Sequence, residues 1–181
     1  MISSLGCSIL LVLSSIVASP TTPPQGKSFD ELLDSLIAAE TNRQTVLKKT
    51  LEVATERKSN VTLKFLEVMV EADEAFVNIR RFFDAGRIFF DFKKGKSDLK
   101  EVEAFMKTEL LRKENFLNDQ MLKLAETHKA AEAQMHQDLP QDTLSLVQPI
   151  IVALKESEEL IAPLGKQFQI NLEATKIESP T

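Results

Sequence analysis

His128, Glu132 and His136 recur every four residues, and on a helix that spacing puts all three on one face. Two imidazoles and a carboxylate so arranged are a donor set a divalent cation accepts. The Glu-x-x-His pair of di-iron bundles is missing, however, and no other segment contributes a histidine. A polar break in an apolar stripe at His128, and a histidine beside a turn at His136, explain the pattern better. No metal is expected. Asp30 with Asp34, and Glu158 with Glu159, resemble the paired carboxylates of acid–base catalysis. That chemistry needs a cleft that shifts their pKa values, and solvated helix faces explain both pairs without one. The sequence has no Gly-rich phosphate loop, nucleophile elbow, thiol–imidazole pair or metalloprotease His-Glu motif. The expectation is a protein that is not an enzyme and carries no cofactor.

The most unusual segment is Arg80-Arg81-Phe82-Phe83-Asp84-Ala85-Gly86-Arg87-Ile88-Phe89-Phe90-Asp91-Phe92-Lys93-Lys94, with five of the chain's 11 phenylalanines. On a helix Phe83 and Phe90 continue the line of Phe76, Phe82 and Phe89 widen it, and Phe92 points elsewhere. A packing account makes this the central helix, burying a wide arc against two neighbours with Arg and Lys stems over its rim. A functional account leaves Phe76, Phe82, Phe83, Ile88, Phe89, Phe90 and Phe92 partly exposed as a face for a partner or a lipid tail. Arg80, Arg81, Arg87, Lys93, Lys94 and Lys96 would then meet a carboxylate or an anionic head group. Gly86 allows another backbone or a ligand to come close.

The elements that position these residues follow from periodicity and punctuation. From 27 to 137 there is no proline, and glycine occurs only at 86 and 95, too few turn signals for a sheet protein. Ser28-Phe29-Asp30-Glu31 reads as a capping box. It opens a stripe through Phe29, Leu33, Leu36, Leu47, Leu51 and Ala54 that thins where Glu40, Arg43 and Gln44 face the same way. A stronger stripe runs from Val61 to Phe90 and ends at Lys93-Lys94-Gly95, basic residues on the negative helix end before a terminating glycine. A third begins at Asp98-Leu99-Lys100-Glu101, carries Leu110, Phe116 or Leu117, Met121 and Leu124 on its face, and stops near Asp138-Leu139-Pro140. A fourth passes through Leu144, Val147, Ile151, Leu154, Ile161, Leu164, Phe168 and Leu172, with Pro149 and Pro163 inside it. Connections of a few residues force neighbouring helices to run antiparallel. The expected fold is all-α: an antiparallel up-down-up-down bundle of three to four long amphipathic helices, the fourth kinked at proline.

Residues 1–18 carry no charge and include Ile9-Leu10-Leu11-Val12-Leu13 before small residues, the pattern of a secretory signal peptide cleaved near Ala18 or Ser19. Residues 19–27 read as a Pro/Thr-rich leader and 28–178 as one bundle domain, with no later span-length apolar stretch. The one cysteine, Cys7, lies in the signal, so the mature chain would be cysteine-free and without thiol chemistry. Secretion makes Asn60-Val61-Thr62 a usable glycosylation sequon at Asn60. With 22 basic against 27 acidic residues and a net charge of -5, a nucleic-acid partner is not expected.

Phe29-Asp30-x-Leu32-Leu33 and Lys96-Ser97-Asp98-Leu99 are similar to patterns in mite allergens of groups 5 and 21. The similarity covers about residues 28–137 and carries no residue roles. It implies a small secreted bundle of long helices without cysteines, with apolar ligand binding suggested. The sequence departs from that family in a longer second helix and in its fourth segment, which has no counterpart there. As a secreted amphipathic bundle the chain also resembles the exchangeable insect apolipophorins. The expected function is binding through the aromatic-rich helix face, to an extracellular protein or to a second copy. The alternative is a carrier of fatty acids or similar amphiphiles in an inter-helix cavity.

Overall fold

The computed structural model describes residues 26–94, 100–135 and 140–177, and the described residues are almost entirely helical, with no strand among them. They form a packed bundle of α1 (Phe29–Glu56), α2 (Asn60–Lys94), α3 (Lys100–Met135) and α4 (Gln141–Ile177). The expected signal and most of the leader, the turns containing Gly95 and Asp138, and the third helix's cap at Asp98 lie outside the described residues. No helix among the described residues is long and apolar enough to cross a membrane.

The start of α1 is the capping box: Ser28 Oγ accepts from the Glu31 N–H at 3.2 Å, and the Ser28 N–H donates to Glu31 Oε2 at 2.7 Å. Its end has no glycine. The Ser59 N–H reaches back to the Ala54 carbonyl and the Lys58 N–H to that of Thr55, both at 3.1 Å, with Lys58 itself left-handed at φ 52°. This double closure satisfies carbonyls the helix leaves open. Ser59 Oγ then accepts from the Thr62 N–H at 3.4 Å, so two residues end one helix and begin the next.

Helix α2 touches all three others, α1 and α4 also touch each other, and α3 packs on α2. Along α1 and α2, Arg43 pairs with Asp73, Glu40 with Arg80 and Asp34 with Arg87; numbers fall on one helix as they rise on the other. Asn78 with Gln120 and Glu74 with Lys123 show the same opposition between α2 and α3.

The core is divided. A large cluster joins Phe29, Leu33, Phe76, Phe83, Phe90, Leu117, Leu164 and Phe168, and a smaller one joins Leu47, Phe65, Met69, Val147 and Ile150. Between them along α1 lies Arg43, fully buried. Its Nε donates to Asp73 Oδ1, its Nη1 donates to Ser157 Oγ at 2.6 Å, and its guanidinium lies 4.7 Å from the Phe76 ring centre. The thin stretch of the α1 stripe is thus a polar layer across three helices.

Two stripe expectations need correcting. Leu51, assigned to the α1 core line, is 47% exposed, and Thr50 is buried in its place, against the Leu146 carbonyl. On α4, Leu144, Ile151 and Leu154 are half-buried, while Thr143, Ile150, Ala153 and Ser157 face inward. Small residues at 153 and 157 fit a layer already occupied by the long Arg43 side chain.

Candidate functional site

The wide apolar arc of α2 is filled by neighbours. Phe76, Phe82, Phe83, Phe89 and Phe90 are all buried. Phe168 of α4 stands among them, with ring centres 5.2, 5.8 and 5.4 Å from Phe82, Phe83 and Phe90; Phe29 of α1 lies 5.5 Å from Phe90, edge to face. Such edge-on and tilted contacts are the favoured aromatic geometry. Gly86 permits the approach: a Cβ there would sit 2.5 Å from Phe168 Cε2. In the folded chain these five rings are core, as the packing account requires, and offer no face to solvent.

What α2 presents outward is different. Ile88 is 60% exposed, Arg81 is exposed with no ion pair or hydrogen bond among the described residues, and Phe92 is half-buried. Two of the other expected basic residues, Arg80 and Arg87, are tied down. Arg80 donates to Glu40 at 3.0 and 3.3 Å and to Asp84 at 3.4 Å; the Glu40 hydrogen bond is the main cause that raises its pKa. Arg87 bridges Asp34 at 3.1 Å and Asp84 at 2.7 Å. Of the rest of the expected anion-binding rim, Lys94 pairs with Asp91, Lys93 is engaged and Lys96 lies outside the described residues, which leaves Arg81 without a partner among the described residues.

The outer face continues onto α3. Asn78 Nδ2 donates to Gln120 Oε1 at 3.0 Å. One turn further along each helix, in opposite senses, come Arg81 and Phe116, the latter 47% exposed. Lys113, on the same side of α3, is also exposed. Sequence reasoning placed Phe116 on the buried stripe as an alternative to Leu117. The structure buries Leu117 and turns Phe116 outward, a choice set by which residue faces α2.

A second feature was not foreseen. Between α1 and α4 an open groove of about 430 Å³ is lined by Ala38, Ala39, Asn42, Glu156, Glu159 and Leu160. Its signal in the sequence is the small pair Ala38-Ala39 facing the outer side of α1. Of the carboxylate pairs considered for acid–base work, Asp34 is engaged by Arg87, while Glu159 stands on this groove. The side chains of His128 and Glu132, and all of His136, lie outside the described residues; among the described residues no cluster of His, Cys, Asp and Glu forms a metal site. Asn60 is exposed at the first turn of α2, but Thr62 of its sequon is buried, its hydroxyl 2.7 Å from Ser59 Oγ and 3.4 Å from Thr143 Oγ1.

Geometry thus defines a class, a helical bundle with a filled aromatic core and its unspent chemistry on outer helix faces. No family model, curated protein or solved structure matches the chain.

Proposed function

We propose that this is a secreted binding protein, not an enzyme, that engages an extracellular protein or its own copy through the outer face of α2 and α3. The observation that carries this reading is the exposed Ile88 with Arg81, which has no partner among the described residues, flanked by Phe116, in a segment where Phe82, Phe83, Phe89 and Phe90 are taken up by the core. An exposed apolar patch beside a free guanidinium is the composition of an interaction surface. Secretion rests on residues 1–18; the test is N-terminal sequencing of chain exported by a secreting cell, expected to begin at Ser19 or Pro20. A photo-reactive amino acid at position 88 should cross-link a protein in the native extracellular fluid, and one at the exposed Lys166 should not. Equal capture at both positions, or none at either, would count against the face.

The fold belonging to this reading is up-down-up-down, with α4 bent at Pro149 or Pro163, both inside the helix. Ion pairs that run in opposite numerical senses support the antiparallel order of α1, α2 and α3. For α4, the Arg43–Ser157 and Thr50–Leu146 contacts do the same against α1. We also assign Asn60 as the glycan site. Because Thr62 is buried, transfer would precede folding: an oligosaccharyltransferase should modify the denatured chain and leave the folded chain untouched.

The carrier alternative draws on the α1–α4 groove, whose volume falls within the range of small-ligand pockets. Its two glutamates repel a fatty-acid carboxylate, and the aromatic rings of α2 pack on one another, Phe82 on Phe83 and Phe89 on Phe90. Displacement of a fluorescent fatty acid by natural lipids at micromolar concentration would favour the carrier over protein binding.

A further inference from the structure

Two surfaces of this chain are complementary in charge, and both carry exposed apolar residues. The outer flank of α2 and α3 is a ridge: Ile88 and Phe116 supply exposed apolar area, and Arg81 and Lys113 supply positive charge without an ion pair among the described residues. The groove between α1 and α4 has the complementary composition. Ala38, Ala39 and Leu160 give it apolar lining, and Glu156 and Glu159, neither in an ion pair among the described residues, give it negative charge. The ridge lies where α2 meets α3 and the groove where α1 meets α4, so one chain cannot fill its own groove with its own ridge.

We infer that a second copy of this chain docks its α2–α3 ridge into the α1–α4 groove, a head-to-tail contact in which Arg81 and Lys113 meet Glu156 and Glu159 around Ile88 and Phe116. This rests on the binding reading above and names the partner. The contact joins two different surfaces, so a pair keeps one groove and one ridge free, and association continues into chains or closed rings. Six lining residues make a small groove, so the contact should be weak and the assembly's mass should depend on concentration. Its exposed ion pairs are screened by salt, so added salt should weaken it.

The test is sedimentation of the secreted chain over a dilution series, together with a ridge variant, Ile88→Asp, and a groove variant, Ala38→Arg. Both positions are exposed, and circular dichroism checks that both variants fold. The unmodified chain should gain mass with concentration, and more so at low salt. Each variant alone should stay at one chain. Their equimolar mixture should stop at a one-to-one pair, because the Ala38→Arg copy offers an intact ridge to the intact groove of the Ile88→Asp copy. If either variant fails to fold, Arg81→Glu and Glu159→Lys replace them: each alone weakens association at least tenfold, and both in one chain restore it. An unmodified chain that remains monomeric up to millimolar concentration overturns the inference, as does a mixture that stays monomeric while the unmodified chain associates. Cross-linking of a different protein from position 88 would then leave the binding reading standing, and its absence would remove both.

Discussion

Gly86 marks a place where Phe168 of α4 packs directly on α2, and the surrounding rings decide what a side chain there would cost. Phe168 meets Phe29, Phe82, Phe83 and Phe90, so it has little room to give way to a Cβ that would sit 2.5 Å from its Cε2. Gly86→Ala should lower stability by about 1–3 kcal/mol through overpacking, even though alanine is the better helix former; thermal unfolding followed by circular dichroism reads it. Neighbouring residues at 88 and 89 separate packing from binding. Phe89 is 3% exposed and Ile88 is 60% exposed. Phe89→Ala should therefore cost about 3–5 kcal/mol, whereas Ile88→Ala should change stability by no more than about 0.5 kcal/mol and show its effect in association.

At the scale of the element, the turn between α1 and α2 carries a correctable cost. Lys58 takes the left-handed position that closes α1, a conformation in which a Cβ is disfavoured. Lys58→Gly should raise stability by up to about 1 kcal/mol in chemical denaturation, since the gain at φ 52° outweighs the added freedom of the unfolded chain. At the other end of α1, the backbone hydrogen bond from Ser28 is the main cause that holds the Glu31 carboxyl below its ordinary range. A depressed folded-state pKa stabilises above the unfolded value, and that contribution is lost as the pH falls through the lower folded value. A carboxyl-detected NMR titration should show Glu31 protonating below an ordinary glutamate, and Ser28→Ala, which removes the hydroxyl's hydrogen bond but keeps the backbone one, should return it only part of the way. The capping box and the helical stretches were legible because each is a local pattern. The Lys58 closure was not, since nothing local demands a left-handed lysine. Nor was the divided use of the aromatic run: Phe82 and Phe89 are core only because α2 serves three neighbours at once, and that depends on tertiary arrangement. Ile88 stood among the candidate residues with nothing to distinguish it from the rings beside it.

Across the whole molecule, the two apolar clusters are joined along α1, α2 and α4 by the Arg43–Asp73–Ser157 layer. A stripe of interchangeable apolar residues slides by a turn at small cost, whereas a buried guanidinium has one position where an acid and a hydroxyl meet it. The layer is a register pin by this argument. Its hydrogen bonding is incomplete, because Arg43 Nη2 is buried with no partner, so its worth is specificity more than stability. Removing one member and removing all three should then differ in sign or size. Asp73→Asn leaves the buried charge without its anion and should cost about 3–5 kcal/mol. Arg43→Met with Asp73→Leu and Ser157→Ala should come within about 2 kcal/mol of the original chain or exceed it. The triple variant should also show extra backbone amide peaks by NMR, as helices free to shift register populate more than one packing. A single set of peaks from it would show that the apolar clusters fix the register by themselves. A loss as large as that of Asp73→Asn would mean that the layer holds the bundle together and does not merely align it.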